Sequence, residues 1–217
     1  MKKKVFFCLL VSLIAGLLFY YFRESTSTFT GFKLEELPPK FSKSSYYKDY
    51  HLANKFVIYV DFSKSAKKRR LWVVDKGTVI ATSYTSHGEK SAALNDILPP
   101  RRFSNKIGSH QSSLGIFSIR ILINTMSKVT HTCSCLEYNK NGNCKHWRKS
   151  FILKGLIKGL NDNAQDRGIL IHTAKYVSEN TWAGNSEGCF VVSPEIFELL
   201  QSKLTHVKIN YYLVALN

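Results

Sequence analysis

The run R-R-L-W-V-V-D-K-G-T-V-I-A-T, Arg69 to Thr82, holds two apolar segments around Asp75-Lys76-Gly77. Val, Ile, Thr and Trp suit a pleated strand, and glycine in a tight reversal supplies the positive φ that such a turn requires. The spacing predicts a β-hairpin. Just upstream, K-F-V-I-Y-V-D-F (55–62) places Phe56, Ile58 and Val60 on one face of a further strand. After a polar, loop-like stretch through L-P-P-R-R-F-S-N-K-I-G-S-H-Q-S-S, strands are expected at 115–123 and in G-I-L-I-H, which ends at His172. A last strand, V-K-I-N-Y-Y-L-V-A-L, alternates Val207, Ile209, Tyr211 and Leu213. One helix is well signalled: Ser193 is its N-cap, Pro194 its first residue, and Ile196, Leu199, Leu200 and Leu204 share a face. Strands without a βαβ rhythm predict a mainly β, β-sandwich-like or barrel-like domain with few helices.

The chain has 217 residues, of which 44% are hydrophobic and 13% aromatic, a composition that excludes disorder. Met1-Lys2-Lys3-Lys4 precedes Val5 to Phe22, an uncharged and mostly apolar run close to the length that crosses a bilayer. Three lysines before the run and a single Arg23 soon after it place the amino end in the cytoplasm and the remainder outside. A retained single-pass anchor in the cytoplasmic membrane, with a periplasmic domain, is the reading favoured; secretion after signal cleavage is the alternative. The net charge of +16 calls for an anionic partner or a solvated basic surface. Outside the cytoplasm that argues against nucleic acid and for a carboxylate-rich peptidoglycan layer. The expected organisation is an anchor at 1–22, a linker at 23–54 and one folded domain at 55–217.

His172 closes an apolar strand, and Cys189 follows seventeen residues later in the loop N-S-E-G-C-F. A thiol with a reference pKa of about 8.5 is a weak nucleophile at neutral pH, and an imidazole in contact takes its proton. Gly188 lets the backbone turn tightly enough for main-chain N–H groups to point at an oxyanion. This constellation suits acyl transfer. His87 and His110 are expected as exposed loop histidines. Asp162 is expected to fix a loop, with an orienting contact to His172 as the alternative.

The unit H-T-A-K-Y-V-S…S-E-G-C resembles the active-site signature of the murein L,D-transpeptidase catalytic-domain (YkuD-like) family. Upstream, V-D-F-S-K-S…K-R-R-L-W-V-V-D, T-S-H-G-E-K-S, F-S-N-K-I-G-S-H-Q-S-S-L-G and G-L-N-D-N-A-Q-D-R-G-I-L-I-H are similar to segments of one branch of it, in the same order. The resemblance covers about residues 55 to 193. It implies a domain outside the cytoplasmic membrane that acts on peptidoglycan stem peptides. Cys189 would be the nucleophile, His172 its base, and Gly188 a member of the catalytic turn. Ser113, Ser186 and Glu187 would be substrate-binding residues; Ser112 and Ser113 equally read as turn hydroxyls. Many family members carry His two residues before the cysteine and Arg or Asn two after it, where this chain has Glu187 and Val191. Glu187 would meet a substrate ammonium or be solvated.

H-T-C-S-C-L-E-Y-N-K-N-G-N-C-K-H-W places His131, Cys133, Cys135, Cys144 and His146 together, in what resembles an insertion at 125–150. Cys133, Cys135, Cys144 and His146 suit a structural zinc ion; one disulfide or unlinked thiols are equally open. No cofactor is expected for catalysis. The leading functional expectation is an L,D-transpeptidase, a cysteine acyltransferase. An L,D-carboxypeptidase, a catalytically silent wall-binding module and a thiol hydrolase of ordinary L-peptides are the rivals.

Overall fold

The computed structural model describes residues 34–92, 98–121, 150–174, 176–178, 184–204 and 210–217. All of them belong to the unit Lys33–Asn217. The expected anchor at 1–22 and the Cys133, Cys135, Cys144 and His146 set lie outside the described residues. Among the described residues no helix is long and apolar enough to cross a membrane.

Short helices α1 (Pro39–Ser42) and α2 (Ser45–Asp49) and a single 3-10 turn, Leu52–Asn54, lead into the sheet. The strands are β1 (Phe56–Asp61), β2 (Leu71–Asp75), β3 (Thr78–Ser83), β4 (His87–Gly88), β5 (Gly115–Ile121) and β6 (Phe151–Gly155). They continue with β7 (Leu170–Thr173), β8 (Asn185–Ser186) and β9 (Phe190–Val192); helix α3 (Pro194–Lys203) and β10 (Tyr211–Leu216) follow. Hydrogen bonding joins eight of them in the order β3-β2-β1-β10-β5-β6-β7-β9, while β4 and β8 form a separate two-stranded ladder. The mainly β architecture with few helices is present, but as one large mixed sheet and one small ladder rather than two sheets of similar size.

The predicted hairpin is β2–β3, with Lys76 at φ 49° and Gly77 at φ 82° in a turn that pairs Asp75 with Thr78. Consecutive positive φ values match the right-handed twist of the flanking strands. The predicted helix is α3, whose Ser193 hydroxyl accepts from the Ile196 N–H at 3.3 Å. The last strand includes Tyr211 and Leu213 and runs on to Leu216; Val207 and Ile209 lie outside the described residues.

One expectation is extended and one corrected. Phe56, Ile58 and Val60 lie on β1 as expected, and the alternate residues Val57, Tyr59 and Asp61 are buried as well. The reason is its place between β2 and β10, where both faces of the sheet are covered. The interval 23–54 was expected to be a linker, yet from Pro39 onward it is part of the folded domain. Phe41 and Leu52 have essentially no exposure and join Val57, Tyr59, Trp72, Val74, Ile116, Tyr212 and Val214 in one core cluster. The Phe41 ring lies 4.8 Å from that of Tyr59, and Lys40 forms an ion pair with Asp61 at the end of β1. Helix α3 rests on the sheet through Phe197, whose ring is 5.1 Å from that of Phe151 on β6.

Candidate active site

The apolar run Ile169-Leu170-Ile171 commits its segment to β7, which lies parallel to β9 with Ile171 opposite Phe190 and His172 opposite Val191. Paired residues of parallel neighbours project to the same side, and side chains two apart along a strand share a face. His172 and Val191 therefore share a face, which Cys189 continues just before β9. Cys189 packs against the cluster of Ala174, Val177 and Val191, together with Tyr84. The strands thus bring the thiol and the imidazole to the same edge of the sheet.

His172 is 7% exposed, and its Nδ1 lies 2.9 Å from the Thr173 carbonyl oxygen. A carbonyl only accepts, so Nδ1 carries the proton and Nε2 is the basic nitrogen. A backbone carbonyl orients the ring. Asp162 does not take that role: its Oδ1 accepts from Asn105 Nδ2 at 2.6 Å and from the Gly159 N–H at 2.9 Å, which fixes a loop. Those hydrogen bonds, the one from Asn105 first, hold the Asp162 carboxyl below its ordinary value.

The Cys189 loop is held by hydroxyls. Ser86 Oγ and Ser186 Oγ both donate to the Cys189 carbonyl, at 2.9 and 2.7 Å, and Ser86 Oγ also accepts from the Val191 N–H at 3.0 Å. Gly188 has φ 124°, and a Cβ there would lie 2.8 Å from the Gln111 carbonyl oxygen and 2.9 Å from Ile169 Cδ1. Only glycine fits. Its N–H donates to Ser186 Oγ at 3.1 Å, so that donor is spent on the loop itself. The Cys189 thiol, partly exposed, donates to the Gly168 carbonyl at 3.5 Å.

Several residues stand differently from expectation. Ser113, expected at the substrate, is fully buried; its hydroxyl donates to the Ser104 carbonyl at 2.9 Å and accepts from Arg167 Nη1 at 2.5 Å. It belongs to the frame, as does Ser112, which accepts from the Gly88 N–H at 2.9 Å. Ser186 likewise spends its hydroxyl on the loop. Glu187, two residues before Cys189, is half-exposed and 3.9 Å from His110 Nδ1, which is itself 2.7 Å from Glu89 Oε1. His110 is partly exposed, whereas His87, expected on the surface, is fully buried on β4 because Arg70 holds it there. Val191 is core rather than cleft.

Sequence reasoning missed Ser86, Arg70 and Arg167. Arg167 had a signal in its place five residues before His172, within N-D-N-A-Q-D-R-G-I-L-I-H.

Three solved structures are similar at low identity. The L,D-transpeptidase from Xylanimonas cellulosilytica is 14% identical with a TM-score of 0.39, over 76% of this chain and 61% of that one. The L,D-transpeptidase from Mycobacterium smegmatis is 12% identical with a TM-score of 0.39, over 75% and 59%. The helical cell shape determining protein Pgp2 from Campylobacter jejuni is 10% identical with a TM-score of 0.40, over 77% and 54%. The chain thus spans 54% to 61% of the length of these three. No curated protein matches. The family model described as L,D-transpeptidase catalytic domain matches residues 32–147 and 136–212, far more than half of the chain. That match takes in every element from α1 through α3, β7 and the Cys189 loop included: the chain belongs to the L,D-transpeptidase catalytic domain family.

Proposed function

We propose that this chain is a peptidoglycan L,D-transpeptidase in which Cys189 is the nucleophile and His172 the base. The observation that carries the reading is the register of β7 and β9, which sets His172 opposite Val191 with Cys189 just ahead of β9, together with the His172 tautomer whose Nε2 accepts a proton. In the scheme, Nε2 takes the thiol proton as the sulfur attacks the carbonyl between an L-centre and the terminal D-amino acid of a tetrapeptide stem. The C–N bond breaks, the departing amine takes the proton back from His172, and the stem remains as a thioester on Cys189.

An amine of a neighbouring stem then attacks the thioester, loses a proton to His172 and releases the thiolate with a new amide bond. With water in its place the product is a carboxylate, and the same site acts as an L,D-carboxypeptidase. Glu187, half-exposed two residues before Cys189, would face the ammonium of an incoming stem; Gly188 and Ser186 hold the turn. No cofactor enters these steps. The apolar run Val5 to Phe22 holds the domain on the outer side of the cytoplasmic membrane, where the net charge of +16 favours the anionic wall.

Mass spectrometry after incubation with tetrapeptide stems, or with a carbapenem, tests the assignment. The expected result is one acyl group per chain, lost in Cys189→Ala and slowed about 100-fold or more in His172→Ala. Full labelling of Cys189→Ala overturns it. The ratio of cross-linked to hydrolysed product separates transfer from hydrolysis.

A further inference from the structure

Arg167 takes no part in the scheme above, yet its guanidinium is fixed against the nucleophile turn. Nη1 donates to the Ser104 carbonyl at 2.6 Å and to Ser113 Oγ at 2.5 Å. Nη2 donates to Ser109 Oγ at 3.0 Å and to the Gln111 carbonyl at 2.6 Å. A guanidinium has four Nη–H donors, and these bonds use all of them. Every acceptor is a neutral carbonyl or hydroxyl in the segment 104–113, so no carboxylate among these partners cancels the charge. Nε is buried without a hydrogen-bond partner among the described residues.

Two observations set Arg167 beside the Gly188-Cys189 turn. Nη2 lies 3.4 Å from where a Cβ on Gly188 would stand, beside the Gln111 carbonyl that the same Nη2 holds. From the other strand of chain, the carbonyl of Gly168, next after Arg167, accepts from the Cys189 thiol. Arg167-Gly168 and Gly188-Cys189 therefore face each other. Burial draws the guanidinium below its ordinary value, and the Cys189 side chain opposes that shift. The other titratable groups around the thiol are His172 from β7, Tyr84 from the segment after β3, and Glu187 on its own loop, with His110 and Glu89 behind it. Arg167 is the permanent cation among them.

Resting on the assignment of Cys189 as nucleophile, we propose that Arg167 is its positioning residue: an anchored guanidinium that stabilises the Cys189 thiolate and holds the Gln111 carbonyl against Gly188. A nearby fixed cation favours thiolate over thiol, and four bonds spare it any reorganisation when the charge develops.

The test is the pH dependence of Cys189 alkylation by iodoacetamide in the full chain, read by mass spectrometry of the peptide that contains Cys189. Arg167→Met is expected to raise the midpoint by about one pH unit, so that alkylation below it slows roughly tenfold; Arg167→Lys, which keeps the charge without the fork, shifts it less. An unchanged midpoint in folded Arg167→Met overturns the proposal. Should that variant not fold, His172→Ala decides: with the imidazole gone, the midpoint is expected to stay below the ordinary thiol value of about 8.5, and a midpoint at or above it overturns the proposal. Alkylation needs no stem peptide. A low midpoint in a chain that stems never acylate would overturn the transpeptidase reading alone.

Discussion

Arg70 Nη2 lies 2.9 Å from His87 Nδ1, and neither residue has any exposed surface. The guanidinium also donates from Nε and Nη2 to the Thr85 carbonyl and from Nη1 to the Lys64 carbonyl. Because Nδ1 accepts, the proton sits on Nε2, and the imidazole is neutral. Burial first, and Arg70 second, push the His87 pKa down to about 3. The unfolded chain takes up this proton near pH 6.5 and the folded chain only near pH 3. Stability from this site is therefore full above about pH 6.5 and falls as pH is lowered toward 3, by up to about 1.4 kcal/mol per pH unit. Urea unfolding at pH 7 and pH 5 checks this; the difference should shrink in His87→Leu, and an equal difference in both chains contradicts it.

Phe41 anchors the approach to the sheet. Phe41→Ala is expected to cost about 3 to 5 kcal/mol, since the ring has no exposure and leaves a cavity under Tyr59 and Trp72. Thermal denaturation measures this. A chain lacking residues 34–54 should be similarly destabilised, and one that melts like the parent would restore the linker reading.

Gly188→Ala places a methyl group 2.8 Å from a backbone carbonyl at a φ of 124°. Strain of about 1 to 3 kcal/mol is expected, with acylation of Cys189 lost before the fold is. Circular dichroism and stem acylation, measured together, separate the two effects.

Ser186→Ala removes the donor to the Cys189 carbonyl and the acceptor for the Gly188 N–H. The expected loss is about 1 kcal/mol of stability and a several-fold slower acylation, since Ser86 still holds the same carbonyl. Ser86→Ala combined with Ser186→Ala should exceed the sum of the single effects, because both hydroxyls share one acceptor.

Local chemistry explains which parts of this molecule were legible in its sequence. The β2–β3 hairpin and α3 were readable because Lys76-Gly77 and Ser193-Pro194 act on their own neighbours. His172 and Cys189 drew notice as a proposed pair because a polar residue closes an apolar strand and a glycine precedes a thiol, and the family resemblance joined them. Helix α1 was hidden because four residues carry no periodicity, and only burial of Phe41 reveals it. The ladder β4–β8 was hidden because two-residue strands take their identity from a partner nearly a hundred positions away. Among 31 Lys and Arg, nothing local marks Arg70 as interior, since what distinguishes it is the set of distant carbonyls it meets.

The pairing of β1 with β10 sets the timing of assembly. Val57 to Asp61 lie beside Tyr212 to Leu216, so the first strand of the sheet finds a central neighbour only when the last has left the ribosome. Contacts this remote in sequence form slowly and late. Until then the middle of the sheet stays open, between β1 on one side and β5 on the other. A nascent chain thus completes its eight-stranded sheet only once synthesis reaches Leu216.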